Sequence, residues 1–152
     1  MALVAANVLS RPEDMATRLI RWASLFPPVD VEGAARRLGI DIEELPLSNA
    51  VSGMLIREGP KQWLIVVNNR YRDARRRRFT IAHELGHWCL HRQRLRRSSL
   101  ELAGELEGEA NEFAGALLIP TEHLYMTTHF DAERIFGVTG AALWTRIEKR
   151  YR

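Results

Sequence analysis

Three things are scarce in this sequence of 152 residues: cysteine, lysine and long apolar runs. The single cysteine, Cys89, excludes an internal disulfide and suits a reducing compartment. No apolar run reaches the roughly 20 residues that cross a bilayer. The N-terminus also lacks the basic segment and the cleavage site of a secretory signal. We therefore expect a cytoplasmic protein that does not bind membranes.

All but Lys61 and Lys149 of the 22 basic residues are arginine, and the net charge is only +3. The arginines cluster at 70–78 and again at 92–97. Such clusters could attract an acidic partner or nucleic acid. The favoured interpretation is a solvated helix face, partly neutralised by the glutamates after residue 100. Direct nucleic-acid binding is disfavoured, because the clusters lack the interleaved aromatic side chains of a single-strand groove.

The most informative stretch runs from Arg78 to Trp88 and contains the pattern His-Glu-x-x-His. In a helix, His83 and His87 lie on one face, so their two imidazoles can bind one metal ion. Glu84 can then reach a water on that ion rather than the ion itself. Zinc peptidases use this arrangement, and their glutamate takes a proton from the water. The structural alternative is a pair of surface histidines on an ordinary helix.

The surrounding residues predict a helix from about Asp73 to His91, with Asp73 as the N-cap and no internal proline. Gly86 costs such a helix roughly 1 kcal/mol relative to alanine. A close approach of another segment would explain this glycine. Cys89 lies on a different face from His87, and we interpret it as a small buried hydrophobic residue.

A third ligand must come from another segment. Metzincins would place it six residues after His87, where Gln93 stands, so that class is excluded. His91 lies about 12 Å along the helix axis from His83. Bonds of about 2 Å to one ion cannot span that distance. A carboxylate from a second helix is the better candidate.

The acidic segment from Leu100 to Pro120 predicts that second helix. Its apolar face consists of Leu106, Ala110, Phe113 and Leu117. The glutamates interpreted as solvated are Glu101, Glu105, Glu107 and Glu112. Glu109 borders the apolar face, and an unpaired carboxylate there is costly, so a metal ion would supply its partner. If Glu109 is not the ligand, the next candidates are Glu105, Glu112 and His123.

The two blocks together resemble the ImmA/IrrE family of zinc metallopeptidases. The first block is Arg78 to His87, and the second is Glu109 to Ala114 followed by Leu117 to Pro120. Weaker similarity around Ser52-Gly53 and Val67-Asn68 extends the resemblance over most of the chain.

This resemblance implies a gluzincin-like site in which His83, His87 and Glu109 bind Zn²⁺ and Glu84 is the general base. Mn²⁺ or another divalent ion is an alternative, because a site of two histidines and one glutamate binds several metals. The resemblance also implies an endopeptidase that cleaves a helix-turn-helix repressor in a bacterial or phage regulatory system, including stress responses. The alternative function is a catalytically silent regulatory module that acts by protein or DNA contact.

The whole chain predicts one α+β domain over residues 1–152. A small antiparallel sheet of about three strands packs on the metal-binding helix and the acidic helix. The first helix is predicted at about 11–25, with a capping box from Ser10 to Glu13. The other predicted elements are a helix at 31–38 and strands at 40–45, 52–57 and 62–68. The last two strands form a hairpin, and we hypothesise that one of them pairs with an extended substrate. A purely structural hairpin is the alternative.

Residues 131–152 predict a helix-turn-helix-like tail. Packing on the rest of the domain is favoured over DNA binding, because the second helix carries Leu143, Trp144 and Ile147. The sequence does not indicate which side chain stabilises the transition state. The candidates are Tyr71, His91, His123, Tyr125 and His129. The oligomeric state is also left open.

Overall fold

The computed structural model describes residues 10–124 and 129–150, apart from the side chains at positions 129, 130 and 150. The described residues form an α+β fold, as predicted, with seven α-helices and a three-stranded sheet. In chain order the elements are α1 (Pro12–Ala23), α2 (Val31–Arg37), β1 (Ile40–Leu45), β2 (Gly53–Gly59), β3 (Gln62–Asn68), α3 (Ala74–His91), α4 (Glu105–Leu118), α5 (Thr121–Leu124), α6 (His129–Phe136) and α7 (Gly140–Arg150). Two short 3-10 turns, Arg92–Arg94 and Ser99–Glu101, lie between α3 and α4.

The sheet is mixed, so the prediction of an antiparallel sheet was wrong. β3 lies in the centre, with β1 parallel on one side and β2 antiparallel on the other. β1 runs parallel to β3 because the chain crosses from one edge of the sheet to the other before β2. The buried side chain of Asn68 fixes this crossing. It accepts a hydrogen bond from the backbone N–H of Leu47 and donates to the carbonyls of Ser48 and Val51.

The strand predictions are otherwise confirmed. β2 and β3 form the expected hairpin, and β1 has the predicted bounds. Residues 63–68 of β3 are all buried, as expected of a strand that is apolar on both faces. The central strand is therefore enclosed by the helices, and β2 is left as an edge strand beside α3.

The N-terminal helices form near the predicted ranges, but the capping box at Ser10 was wrong. The N-cap of α1 is Arg11, which makes no side-chain cap bond, and Pro12 is the first helical residue. Proline suits that position because it has no N–H to leave unsatisfied, and it holds the preceding residue extended. Arg11 instead forms an exposed ion pair with Asp14. The α2 cap is as expected in kind, since Asp30 accepts a hydrogen bond from a backbone N–H one turn later.

The two helices of the predicted site differ in how well their starts were predicted. α3 begins after Asp73, whose side chain accepts a hydrogen bond from the backbone N–H of Arg75. α4 begins at Glu105, five residues later than expected from Leu100. Gly104 precedes it with a φ of 63°, a left-handed conformation that interrupts the helix and that glycine adopts readily.

α3 and α4 cross closely at Gly86, as the glycine suggested. A Cβ atom there would lie 3.0 Å from Cδ1 of Phe113 and 3.1 Å from the carbonyl oxygen of Ala110. Both distances are tighter than ordinary van der Waals contact. The missing side chain therefore sets how near the two helices approach.

Two arginines of the 70–78 cluster do not lie on a solvated face. Arg78 donates hydrogen bonds to the carbonyls of Val29 and Phe136, each at 3.0 Å. Arg77 forms an ion pair with Glu44 of β1 at 2.9 Å. These contacts attach the start of α3 to its neighbours, whereas the preceding residues 75 and 76 are exposed.

The C-terminal helices pack on the rest of the fold. Phe136 and Leu143 are fully buried. Arg146, also buried, donates hydrogen bonds to the carbonyl of Ile119 and to the side chain of Glu13. These contacts support packing of the tail, and its likeness to a DNA-binding helix-turn-helix stays a prediction. Among the residues that the structure describes, no helix is both long and apolar enough to cross a membrane.

Candidate metal centre

Helices α3 and α4 bring together three side chains that could hold a metal ion: His83, His87 and Glu107. Nε2 of His87 lies 3.1 Å from Nε2 of His83 and 2.8 Å from Oε1 of Glu107. The other carboxylate oxygen of Glu107 is 3.2 Å from Nε2 of His83. The three groups therefore converge on one point from two helices.

These separations fit one small ion. Donor atoms about 2.0–2.1 Å from a tetrahedral Zn²⁺ lie roughly 3.3 Å apart. Burial, followed by the neighbouring His83 and His91, lowers the pKa of His87 to about 3. Its imidazole is then neutral at physiological pH, which is the form that binds metals. Two imidazoles and a carboxylate suit Zn²⁺, and they also accept Mn²⁺.

Each histidine has a partner on its second ring nitrogen. Nδ1 of His83 lies 2.8 Å from Oδ1 of Asn111, an oxygen that can only accept, so Nδ1 carries the proton. That leaves Nε2 of His83 free to bind a metal. Nδ1 of His87 lies 3.0 Å from Nδ1 of His91. A hydrogen bond from the second ring nitrogen commonly orients a metal-binding imidazole.

Glu109, the predicted third ligand, lies elsewhere in the structure. Its Oε2 is 2.6 Å from Nε2 of His91. That Glu109 binds the metal stays a prediction, and Glu107 is the glutamate that reaches both His83 and His87. One sequence signal could have indicated Glu107. It precedes Asn111 by four residues, so the two share a helix face. In the structure both side chains contact His83.

The carboxylate of Glu84 is buried, with only 4% of the residue exposed. Burial raises its pKa, while His83 and a hydrogen bond from Ser99 act in the opposite direction. The hydroxyl of Ser99 donates to Oε2 of Glu84 at 2.7 Å. Ser99 was not among the predicted site residues, because it lies in the connection between α3 and α4, where no motif marks it.

A cavity of about 460 Å³ adjoins the cluster. His83, Glu84 and Glu107 line it together with Ser99 and Gly53 of the edge strand. A second cavity of about 610 Å³ adjoins the first and shares Phe79 with it. Glu84, His83 and Glu107 therefore face one space that is large enough for part of a polypeptide.

Residues 35–147 match the family of IrrE N-terminal-like domains, a family of peptidases. The chain belongs to this family. The match spans α3 and α4, and it confirms the resemblance stated on their two sequence blocks. None of the curated proteins compared with the chain matches it significantly. Family membership supports a metallopeptidase function for the IrrE-like domain, and the cluster on α3 and α4 supplies a candidate metal site.

In the IrrE-like domain, the described side chains that were predicted to stabilise the transition state lie away from the cavity. The hydroxyl of Tyr71 donates to the carbonyl of Asn49. His91 lies behind His87, and His123 lines a different cavity. Tyr125 and the side chain of His129 lie outside the described residues. Of the candidates whose side chains the structure describes, none lines the cavity that holds Glu84.

Cys89 is buried, as predicted. Burial raises the pKa of its thiol to about 12, so it behaves as a small apolar residue of the core.

Proposed function

We propose that this protein is a zinc-dependent endopeptidase of restricted specificity that cleaves a helix-turn-helix repressor. One observation carries the proposal: His83, His87 and Glu107 converge beside a buried Glu84, and Glu84 lines the same cavity as His83 and Glu107. Membership of a peptidase family supports the reaction class. The repressor as substrate rests on the resemblance to the ImmA/IrrE family, and cleavage would relieve repression.

His83, His87 and Glu107 would hold the metal. When bound, Zn²⁺ polarises a carbonyl and lowers the pKa of a coordinated water to about 7. Glu84 takes the proton of the attacking water and passes it to the leaving amine. The raised pKa of Glu84 makes its carboxylate a stronger base than an exposed one. Ser99 holds Oε2, which leaves Oε1 for the proton.

The edge strand supports the hypothesis of main-chain substrate binding. The N–H groups of Leu55 and Arg57 point away from β3, since they bond to Ser99 and Arg97. Backbone direction alternates along a strand, so Gly53 also presents its N–H and carbonyl to the outer edge. Gly53 lines the catalytic cavity, and an extended substrate can add to the sheet there.

The same edge favours restricted specificity. Residues 97–99 cover the outer side of β2 at Leu55 and Arg57, next to the open position at Gly53. A substrate can therefore pair with only a short part of the strand. Recognition would depend on other contacts as well, which suits an enzyme with one protein partner.

The test is cleavage of purified helix-turn-helix repressors from the same genome by the zinc-loaded protein. We expect one repressor to be cut at a defined bond, identified by the masses of the fragments. Glu84→Gln should retain zinc and lose cleavage, because the amide cannot accept the proton. A Glu84→Gln protein that cut the repressor at the wild-type rate would contradict the mechanism.

A repression assay separates this function from the alternative of a silent binding module. Wild-type protein and Glu84→Gln are each expressed with the repressor and a reporter gene. The proposal expects relief of repression by the wild type alone. Equal relief by Glu84→Gln, with an intact repressor, would mean that binding suffices.

A further inference from the structure

Behind the candidate metal centre lies a hydrogen-bonded chain that the proposed reaction does not use. Nδ1 of His87 is 3.0 Å from Nδ1 of His91, and Nε2 of His91 is 2.6 Å from Oε2 of Glu109. His87 and His91 are 0% and 2% exposed. The chain thus leads from a candidate ligand through a buried imidazole to a carboxylate at the surface.

We infer that His91 and Glu109 are positioning residues that fix the tautomer and ring orientation of His87 for metal binding. The inference rests on the proposed role of His87 as a ligand. It gives Glu109 a function other than direct coordination. His91 would not touch the metal or the substrate, and it would act only through His87.

The positions of the protons support this assignment. An ionised Glu109 can only accept, so Nε2 of His91 carries the proton of that hydrogen bond. A neutral His91 then has a bare Nδ1, which accepts from Nδ1–H of His87. With its proton on Nδ1, His87 has a lone pair on Nε2. That atom faces His83 and Glu107, so a bound metal ion would lie between the lone pair and the carboxylate.

The reverse proton arrangement would leave an unfavourable contact. If His91 donated from Nδ1 to His87, a neutral His91 would have no proton on Nε2. Two acceptors would then face each other at the 2.6 Å separation from Glu109. His87 would also keep its proton on Nε2 and could not bind a metal. With His91 neutral, the carboxylate of Glu109 therefore selects the metal-binding tautomer of His87 through His91.

His83 offers a comparison within the same site. Its Nδ1 bonds to the neutral amide of Asn111, which selects the same tautomer in one step. The partner of His87 is instead an imidazole backed by a carboxylate. A carboxylate partner makes a metal-binding imidazole a better donor to the metal, and loss of such partners typically weakens metal affinity about 10–100-fold.

The first test is the tautomer of His87, measured by nitrogen NMR with labelled histidine in metal-free Glu107→Ala. This reference variant lacks the carboxylate that would otherwise compete for a proton on Nε2 of His87. We expect the proton on Nδ1 in the reference. Added to it, Glu109→Ala should shift His87 toward the Nε2-protonated form, and Glu109→Gln, which keeps an accepting oxygen, should leave the reference tautomer in place. Glu105→Ala is the matched control, because it removes an exposed carboxylate from the same helix.

The second test is zinc affinity, measured by competition with a chromophoric chelator. Glu109→Ala should bind zinc about 10–100-fold more weakly than the wild type. Glu109→Gln should lose less, and Glu105→Ala should match the wild type. The melting temperature of each metal-free variant checks that it is folded. The Glu109 side chain is 45% exposed, so we expect its replacements to remain folded.

Two results would overturn the inference. Glu109→Ala that leaves both the His87 tautomer and the zinc affinity unchanged would show that the hydrogen-bonded chain has no role at the metal. Complete loss of zinc binding in Glu109→Ala, equal to that in Glu107→Ala, would make Glu109 a ligand instead. Neither test uses cleavage, so a protein that binds zinc as expected but cuts no repressor would contradict only the proposed function.

Discussion

The hydroxyl of Ser99 donates a 2.7 Å hydrogen bond to Oε2 of the buried Glu84. The same hydroxyl oxygen accepts a 2.9 Å bond from the N–H of Leu55 in β2. One serine from the connection between α3 and α4 therefore ties the proposed general base to the edge strand. A hydrogen bond to a carboxylate favours its ionised form, so Ser99 opposes the rise in pKa that burial causes at Glu84.

We expect Ser99→Ala to reduce kcat/KM by about 10-fold or more on the acidic limb of its pH profile. A hydrogen bond to a charged group is worth about 1.5–3 kcal/mol, and its loss lowers the ionised fraction of Glu84 there. The pKa of Glu84 should rise further. Because Glu84 must be ionised to act, the acidic limb of the profile should move to higher pH. The measurement is kcat/KM for cleavage of the repressor as a function of pH. Ser99→Thr keeps the hydroxyl and should restore the profile, whereas an unchanged profile in Ser99→Ala would contradict this role.

Glu84 should destabilise the metal-free fold at neutral pH. Its folded-state pKa is raised above the ordinary value of 4.5, so the folded state binds the proton more tightly than the unfolded state. Protonation of Glu84 therefore favours the folded state. This gain in folding stability is complete below about pH 4.5 and is lost as the pH rises through the folded-state pKa of Glu84.

We therefore expect metal-free Glu84→Gln to melt at a higher temperature than the metal-free wild type at pH 8. The difference should shrink toward pH 4, where Glu84 is protonated in both states. Calorimetry across this range is the measurement, and Glu105→Gln, at an exposed site, is the control. Equal melting of Glu84→Gln and wild type at pH 8 would show that the buried charge is compensated.

Zinc should stabilise the protein through His83, His87 and Glu107. A ligand at 100 times its Kd stabilises the folded state by about 2.7 kcal/mol, which a thermal melt detects. We expect excess zinc to raise the Tm of the wild type but not of His83→Ala or Glu107→Ala. Metal content by mass spectrometry should agree. Zinc stabilisation that survives in Glu107→Ala and disappears in Glu109→Ala would instead support the third ligand expected from the sequence.

Two glycines near the site should respond to alanine in opposite directions. Gly86→Ala places a Cβ against Phe113 and Ala110, and such overpacking costs about 1–3 kcal/mol. A Cβ atom at Gly108 in α4 would instead point into open space, with no atom of another segment within 4 Å. Gly108→Ala should therefore gain up to about 1 kcal/mol from helix propensity. Urea unfolding of both variants measures the difference, and a stabilised Gly86→Ala would mean that the helix crossing adjusts freely.

Local sequence was enough to predict the main elements of the site. Asp73 caps α3, and the four-residue spacing of His83 and His87 puts both imidazoles on one face. These features depend only on helix geometry and on groups one turn apart. The buried strand β3 and the close helix contact at Gly86 were also predictable from local sequence. β3 is a run of apolar residues, and Gly86 is a glycine in the middle of a helix.

The tertiary structure decided which groups meet across elements. The apolar pattern of α4 placed only Glu109 beside the buried face, yet Glu107 and Glu109 are nearly equal in exposure, at 43% and 45% of the side chain. Their different partners follow from the start of α4 at Glu105 and from its packing against Gly86, which set the rotation and height of α4 beside α3.

Tertiary packing also decided that Ser99 meets Glu84 and that β1 runs parallel to β3. Each depends on where one segment lies relative to a distant one. The sequence alone determined the two histidines, the glutamate between them and the helix that carries them, because neighbours along a helix fix their spacing. Packing between helices and strands selected the carboxylate that meets the two histidines and the partners of each candidate ligand, because only the folded chain brings those residues within hydrogen-bonding distance.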